Sequence, residues 1–129
     1  GKATLIAKLF DEFPERMAIP VSHTSRAPQE EEKDGVQFWL SDRERMERQA
    51  KDGFFLEIVE VDGDLYGTSV DAVNMIRNAG KVAVIHLDLA GVQQLKSSGY
   101  KCKIVWITPP SLQVLSDRLK ASGVEETEI

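Results

Sequence analysis

The sequence predicts an α/β protein built on a parallel sheet with helices on both faces. Two observations lead to this fold class: strand-like apolar runs alternate with helix-length amphipathic segments, and the run at 81–89 is continuously apolar between polar ends. Alternation implies right-handed strand–helix–strand crossovers, and a continuous apolar run is typical of a strand buried on both faces. A chain of 129 residues is long enough for one domain with a buried core.

The first part of the chain predicts a helix, a strand and a loop. Apolar residues recur at helical spacing over 2–13, and Pro14 ends that helix. Residues 17–22 are typical of a short strand. The proline, glycine and charged residues of 25–36 predict a loop.

The middle part predicts a helix followed by a hairpin. An S-x-x-E capping box begins at Ser41 and predicts a helix over about 42–51. The alternating, aromatic-rich run at 54–61 predicts a strand, and "DGD" at 62–64 predicts a tight turn. Because these elements look antiparallel, we expect 37–67 to be an insertion on the parallel core.

The last part predicts three helices and the strands between them. Ser69 caps a helix through Ala79, and a second helix follows the apolar run at about 90–98. Residues 103–108 predict a further strand, because they form another apolar, β-branched run. Ser111 caps the last helix, which runs through about Lys120.

Composition and charge argue against several classes of function. The formal net charge of -5 makes DNA or RNA an unexpected partner. The longest apolar runs, such as "IVWI", are far too short for a membrane span. Cys102 is the single cysteine, so no internal disulfide can form. This fits a reducing compartment, and we expect a cytoplasmic protein.

Three candidate positions lie where open α/β sheets bind ligands, near strand ends and helix N-termini. The "GK" at 1–2 opens a helix as the tail of a phosphate-binding loop does, although two residues alone are a weak motif. Arg26 offers a bidentate fork to a phosphate, or else pairs with one of the carboxylates at 30–32. Asp88 binds a base amino group or a metal's waters, or else caps the helix that follows it.

Taken in order, "GKATL", "VSHTSRAP", "GFFLEIVEVDGDLYGTS" and "VIHLDLAGVQQLK" resemble the guanylate kinase family along essentially the whole chain. The resemblance implies a P-loop NTPase-type parallel sheet with a small, mostly β GMP-binding lobe at about 34–68. It implies transfer of the terminal phosphoryl group of ATP to GMP with Mg²⁺, so ATP and GMP are the expected partners. Since the family has elements before the phosphate loop and after the lid, we expect 1–129 to be one domain that is incomplete at both ends.

The resemblance assigns the guanine ring to four side chains. Ser22 and Thr68 would face its carbonyl oxygen as hydroxyl donors. Glu57 and Asp88 would accept from its ring N–H and amino groups. The assignment is chemically consistent, because guanine presents a donor edge and ionised carboxylates only accept.

The same resemblance assigns the phosphate groups to a second set of residues. Arg26 and Tyr66 would hold the GMP phosphate, with Glu32 beside them. Lys2 and Arg118 would join Arg26 as the catalytic cations that stabilise the transferring charge. The ATP-binding positions would be Gly1, Lys2, Ala3 and Thr4, with Thr4 as the metal-side hydroxyl.

Several positions depart from the family's pattern, mostly among phosphate and metal contacts. Gln29 and Ser122 stand where the family has arginines, Phe38 where it has a tyrosine, and His86 where it has an aspartate. A charge-assisted hydrogen bond contributes about 1.5–3 kcal/mol. Four such losses are enough to separate a competent kinase from a slow one.

Two other interpretations stay open at the level of the sequence. One is a binding or scaffolding module whose nucleotide pocket serves a protein partner, as in the membrane-associated guanylate kinase scaffolds. The other is a guanylate-kinase-like domain inside a much larger structural protein. Lys2 favours the enzyme over the scaffold, because those scaffolds usually lose the phosphate loop.

Overall fold

The computed structural model describes residues 1–123, and the order of its elements confirms the α/β class. The helices are α1 (Lys2–Glu12), α2 (Arg43–Lys51), α3 (Val70–Asn78), α4 (Leu89–Ser97) and α5 (Leu112–Ala121). The strands are β1 (Met17–Ala18), β2 (His23–Thr24), β3 (Trp39–Leu40), β4 (Phe55–Val61), β5 (Asp64–Ser69) and β6 (Val82–Ala83).

The strands form two sheets of different character. β1 and β6 pair in parallel, with Met17 opposite Val82. The larger sheet has the order β3-β2-β5-β4, and β5 is antiparallel to both of its neighbours. This larger sheet is the predicted β lobe. Because β2 belongs to it, the lobe starts earlier in the chain than the predicted boundary at 34.

The β4–β5 hairpin fixes the register of the lobe. Its turn residues Asp62 and Gly63 both have positive φ, 51° and 86°, as a two-residue turn of type I′ requires. The turn sets Val61 opposite Asp64, and the pairing continues with a bulge near Phe55. The "DGD" prediction is therefore confirmed, and the hairpin carries several side chains of the site described below.

The buried core joins the lobe to the helices. Its centre is formed by Leu56 of β4, Val73 of α3 and Leu95 of α4. Partly buried apolar side chains from 83–87 pack against this cluster. Burial of apolar surface is the main favourable term in folding, so the lobe and α4 are held together by the same core.

The helix N-termini are set by side-chain caps, one of which differs from the prediction. Ser69 and Ser111 cap α3 and α5 as expected, through hydrogen bonds from Ala72 N and Val114 N. For α2 the cap is Asp42 instead of Ser41, and its Oδ1 accepts from Arg45 N at 2.8 Å. An ionised carboxylate interacts more favourably with the positive end of a helix dipole than a hydroxyl does.

Besides the strand at 17–22, which the structure reduces to Met17–Ala18, two predicted strands are wrong in extent or existence. The buried strand at 81–89 is reduced to Val82–Ala83, and Val82 is exposed. Within residues 1–123, the segment 103–108 pairs with no strand, and Val105 and Trp106 are 80% and 69% exposed. The apolar, branched composition was present in both cases. A strand also needs a neighbour whose backbone completes its hydrogen bonds, and composition does not report that neighbour.

Candidate functional site

A cavity of about 370 Å³ opens beside the larger sheet and the N-terminal ends of α1 and α4. Its walls come from the segment 19–22, from β4 and β5, and from the segment 85–88. Six of the predicted site residues line this cavity: Lys2, Ser22, Glu57, Tyr66, Thr68 and Asp88. Side chains that are far apart in the sequence thus converge on one space.

Glu57 and Thr68 form a buried pair in the wall of the cavity. The hairpin register sets them opposite each other, and Thr68 Oγ1 donates to Glu57 Oε1 at 2.7 Å. The residues are 8% and 4% exposed. Burial raises the pKa of the Glu57 carboxyl, the Thr68 hydrogen bond opposes this rise, and the charge of Asp88 adds to it. A hydrogen-bond donor that entered the cavity would stabilise this desolvated carboxylate.

The contact with Glu57 changes what Thr68 can offer to a ligand. A threonine hydroxyl has one proton to donate, and in this geometry Glu57 receives it. Thr68 therefore presents only acceptor lone pairs to the cavity. Ser22 is the other predicted hydroxyl donor. Its backbone oxygen accepts from Trp39 N, and among residues 1–123 its hydroxyl proton stays available to a ligand.

Asp88 combines the two roles that the sequence left open. Its Oδ1 accepts from Gly91 N at 2.8 Å, so Asp88 is the N-cap of α4. The residue is also exposed and lines the cavity. A carboxylate has two oxygens and about four lone pairs. Capping the helix therefore leaves acceptor capacity that faces the cavity.

Arg26 is held by a bidentate ion pair with Glu32. Its two terminal nitrogens donate to the two carboxylate oxygens at 3.0 and 2.9 Å. The side chains are 20% and 12% exposed, and Glu32 also accepts from Gln29 N at 2.7 Å. The hydrogen bonds with Glu32 raise the pKa of Arg26, and those from Arg26 and Gln29 lower the pKa of Glu32. The alternative that Arg26 pairs with one of the carboxylates at 30–32 is confirmed, and the partner is Glu32.

Two aromatic rings complete the surroundings of Arg26. Its guanidinium carbon lies 5.3 Å from the centre of the Phe38 ring, a cation–π contact. Phe38 in turn meets the Tyr66 ring edge-on, at 5.9 Å between ring centres. Tyr66 also contributes to the raised pKa of Arg26 and lines the cavity. Arg26 therefore adjoins the cavity through Tyr66. Phe38 lacks the hydroxyl that the family has, but it supports the same cation.

Lys2 brings a cation to the part of the cavity formed by the segment 85–88. It is the first residue of α1, and its Nζ donates to the backbone oxygen of Leu87 at 2.6 Å. This contact holds the ammonium group beside the segment that ends in Asp88. The other predicted ATP-binding residues, Gly1, Ala3 and Thr4, are exposed at the start of α1 and do not line the cavity.

Several predicted or divergent residues lie away from the cavity. Arg118 is exposed on α5, and Ser122 caps the end of that helix by donating to Leu119 O. Gln29 contributes its backbone N–H to Glu32. His86 is the exception among these residues, because its exposed side chain lines the cavity.

Two polar residues that the sequence interpretation did not assign stabilise the site from outside. Thr24 is fully buried, and its Oγ1 accepts from Arg26 N at 3.2 Å. Gln94 of α4 makes two hydrogen bonds to the backbone of Ile58, next to Glu57. A polar residue beside a core leucine was the available signal for Gln94, but the pattern does not identify its partner.

A smaller cavity of about 130 Å³ lies behind β2. His23 lines it, whereas its neighbour Ser22 lines the first cavity, because successive residues of an extended segment point to opposite faces. In the part of the chain that the structure describes, three buried atoms around it lack a hydrogen-bond partner: His23 Nδ1, Ser41 Oγ and Gln49 Oε1. Burial and, less strongly, Arg45 lower the pKa of His23, while Asp34 opposes the shift.

The stability of the lobe should therefore depend on the protonation of His23. Its folded pKa is lowered below the ordinary value of 6.5, so the unfolded chain binds the proton more readily. Stability from this residue is then complete above about pH 6.5 and is lost as the pH falls through the folded pKa. Urea unfolding of wild type and His23→Phe at a series of pH values measures this difference.

In that comparison, the titratable groups other than His23 change the free energy of unfolding equally in both proteins, so their effect cancels in the difference. We expect wild type to lose more stability than His23→Phe below about pH 6.5. A constant difference between the two proteins across this range would contradict the prediction.

The oxygen ligands of the site are consistent with a metal ion that binds together with a substrate. Among residues 1–123, no group of three or more His, Cys, Asp or Glu side chains is arranged to hold a metal ion. Mg²⁺ usually binds through one or two protein oxygens, several waters and substrate phosphates. Asp88, next to the Leu87 that Lys2 contacts, is a carboxylate of the cavity, and Thr4 is the hydroxyl on the first turn of α1. Over the same described range, no helix has the length and apolar character needed to cross a membrane.

Comparison with known proteins gives one consistent family. The family profile described as Guanylate kinase matches residues 1–129. Guanylate kinase 1 of Arabidopsis thaliana is 41% identical over 128 residues, which are 99% of this chain and 33% of that protein. The guanylate kinases of Sus scrofa and Homo sapiens are 37% and 36% identical, again over 99% of this chain and 65% of theirs. The chain thus spans about a third to just under two thirds of these curated relatives.

A solved structure gives the same result for the fold. The crystal structure of guanylate kinase from Anaplasma phagocytophilum matches with a TM-score of 0.54 at 26% sequence identity. The match covers 70% of this chain and 48% of that one. It confirms the predicted α/β fold class.

Proposed function

The chain belongs to the guanylate kinase family, and from this we propose that it transfers the terminal phosphoryl group of ATP to GMP. An oxygen of the GMP phosphate attacks the γ-phosphorus of ATP, the bond from that phosphorus to the β–γ bridging oxygen breaks, and ADP and GDP form. Phosphoryl transfer needs little covalent chemistry from the protein, so positioning and cations supply most of the rate.

The observation that carries the proposal is the pair of carboxylates in one cavity. Glu57 is buried and its pKa is raised both by burial and by the charge of Asp88, and both residues line the cavity. Two adjacent acceptors that repel each other are stabilised by a ligand with adjacent donors. The ring N–H and amino group of guanine are such donors, whereas adenine lacks this edge.

The charged end of GMP would lie towards Arg26. Its guanidinium has five N–H donors, and the ion pair with Glu32 uses two of them. Arg26 lies against Phe38 and Tyr66, and Tyr66 connects it to the cavity. We propose that Arg26 and Tyr66 bind the phosphate. Glu32 carries the same sign of charge as the phosphate, so it orients Arg26 and does not bind the phosphate itself.

ATP would bind at the start of α1, as its magnesium complex. Lys2 would bind its phosphates with the ammonium group that donates to Leu87 O. Backbone N–H groups at a helix N-terminus attract phosphate as well. When bound, Mg²⁺ supplies charge neutralisation on the phosphates. Thr4 is the residue of α1 whose hydroxyl would bind the metal ion. Arg118 would have to approach from α5 to reach the transferring group.

The replacements at Gln29, His86 and Ser122 should lower the rate without removing the activity. They take away cations and a carboxylate, but the cavity residues that bind guanine are retained. Phe38 keeps Arg26 in place through its ring face. We therefore expect turnover that is slow for a nucleotide kinase and that still depends on GMP.

The test is ADP formation by the full-length protein with ATP, Mg²⁺ and GMP. We expect GMP-dependent turnover, with kcat/KM for AMP lower by on the order of a thousandfold, because a site built to hydrogen-bond a donor edge rejects an analogue that lacks it. If ADP production did not change when GMP was added, the proposed phosphoryl transfer to GMP would be refuted. GMP binding by calorimetry without turnover would then leave a nucleotide-binding module.

A further inference from the structure

We infer that Gln94 is a positioning residue that holds Glu57 and Asp88 at the spacing guanine requires, an inference that rests on the proposed function. The side chain lies outside the cavity and is not among its lining residues. Its influence on the ligand would therefore pass through the backbone of β4.

The Gln94 amide acts as an additional strand segment at the edge of the sheet. Its Oε1 accepts from Ile58 N and its Nε2 donates to Ile58 O, both at 2.9 Å. β4 is an outer strand of the larger sheet. An outer strand has backbone groups that no neighbouring strand satisfies. The amide satisfies both groups of Ile58 with the geometry of a ladder pair.

This contact connects the two carboxylates along a short path. Ile58 follows Glu57 directly in β4, and Gln94 lies on α4, whose N-cap is Asp88. Gln94 is six residues after Asp88, a distance of about 9 Å along a helix. Because a helix and a paired strand are both stiff, two hydrogen bonds between them restrict the distance between Glu57 and Asp88.

The site needs such a connection because its two acids repel each other. The charge of Asp88 raises the pKa of Glu57, which is the signature of that repulsion. The neighbouring core contact between Leu56 and Leu95 attracts β4 to α4, but apolar burial has no preferred direction. Hydrogen bonds are directional. The hydrogen bonds of Gln94 therefore fix the position of β4 along α4, whereas the apolar contact of the leucines holds the two elements together.

The test compares Gln94→Met with the matched control Gln93→Met in the full-length protein. Methionine keeps the length of glutamine and removes both hydrogen bonds, and Gln93 is an exposed neighbour on the same helix. At a temperature well below melting, we expect Gln94→Met to raise the Kd for GMP about tenfold. The Kd for ATP should be unchanged, and Gln93→Met should bind both nucleotides as wild type does.

The outcomes separate this inference from the proposed function. If wild type does not bind GMP, the proposed function fails and the inference fails with it. If wild type binds GMP and Gln94→Met binds it equally well, only the inference is overturned. An equal loss of GMP and ATP affinity would indicate a merely structural role and would also overturn it.

A second variant and one measurement on wild type keep the test decisive if Gln94→Met does not fold. Gln94→Glu keeps an acceptor for Ile58 N but loses the donor to Ile58 O, so GMP affinity should fall in the same direction. In wild type, the Ile58 amide should exchange with solvent more slowly than that of Glu60 on the same strand edge, and more slowly still with GMP bound. Fast exchange at Ile58 in both states would refute the inference.

Discussion

Replacing Arg26 with alanine is expected to weaken GMP binding by about a hundredfold and to leave ATP binding unchanged. Two effects act in the same direction. The change removes the guanidinium that would donate to the GMP phosphate. It also leaves the Glu32 carboxylate, which keeps its hydrogen bond from Gln29 N, as a negative charge that has lost its cation beside the phosphate position.

The second effect distinguishes this prediction from a simple loss of contact. Adding Glu32→Gln to Arg26→Ala should restore part of the GMP affinity, because the repulsion is then removed. Arg26→Lys should recover less than half of the binding energy, since an ammonium cannot reproduce the bidentate fork.

Calorimetric titration with GMP and ATP measures the dissociation constants of these variants. Arg48→Ala is the matched control, because Arg48 is an exposed arginine of α2. Its contact with Glu44 is long, 3.5 Å. If Arg26→Ala kept wild-type affinity for GMP, the phosphate would have to bind elsewhere and the proposed orientation of GMP would be wrong.

Replacing Lys2 with methionine is expected to lower kcat by on the order of a hundred- to a thousandfold. Methionine keeps most of the length of the side chain and removes the positive charge. That charge is fixed on Leu87 O beside the cavity, so it is already positioned for the transferring phosphoryl group. Its loss should act on the transition state more than on the binding of GMP.

The control for Lys2 lies on the same helix. Lys8 is exposed on α1, and Lys8→Met should have wild-type turnover. GMP titrations should give the same Kd for all three proteins. A kcat for Lys2→Met within threefold of wild type would show that the contact of Lys2 with Leu87 O has only a structural role.

Much of the fold was predictable because its signals are local. The α1 and α3 helices, the β4–β5 hairpin with its Asp62–Gly63 turn, and the Ser69 cap each depend on residues within a few positions of one another. The prediction of a strand at 103–108 was wrong. A strand depends on a partner elsewhere in the chain, and an apolar run has the same composition with or without that partner.

For the site, the sequence by itself determined which residue types are present and, through the family motifs, which of them belong together. Lys2, Ser22, Glu57, Tyr66, Thr68 and Asp88 were all named in advance, and they line one cavity. Only the tertiary structure decided how their hydrogen-bonding groups are shared. It pairs Thr68 with Glu57, Arg26 with Glu32, and Gln94 with Ile58. The last pair is separated by 36 positions in the chain. Each donor proton and each lone pair serves one partner at a time, and that choice depends on distances in space that a linear pattern does not contain.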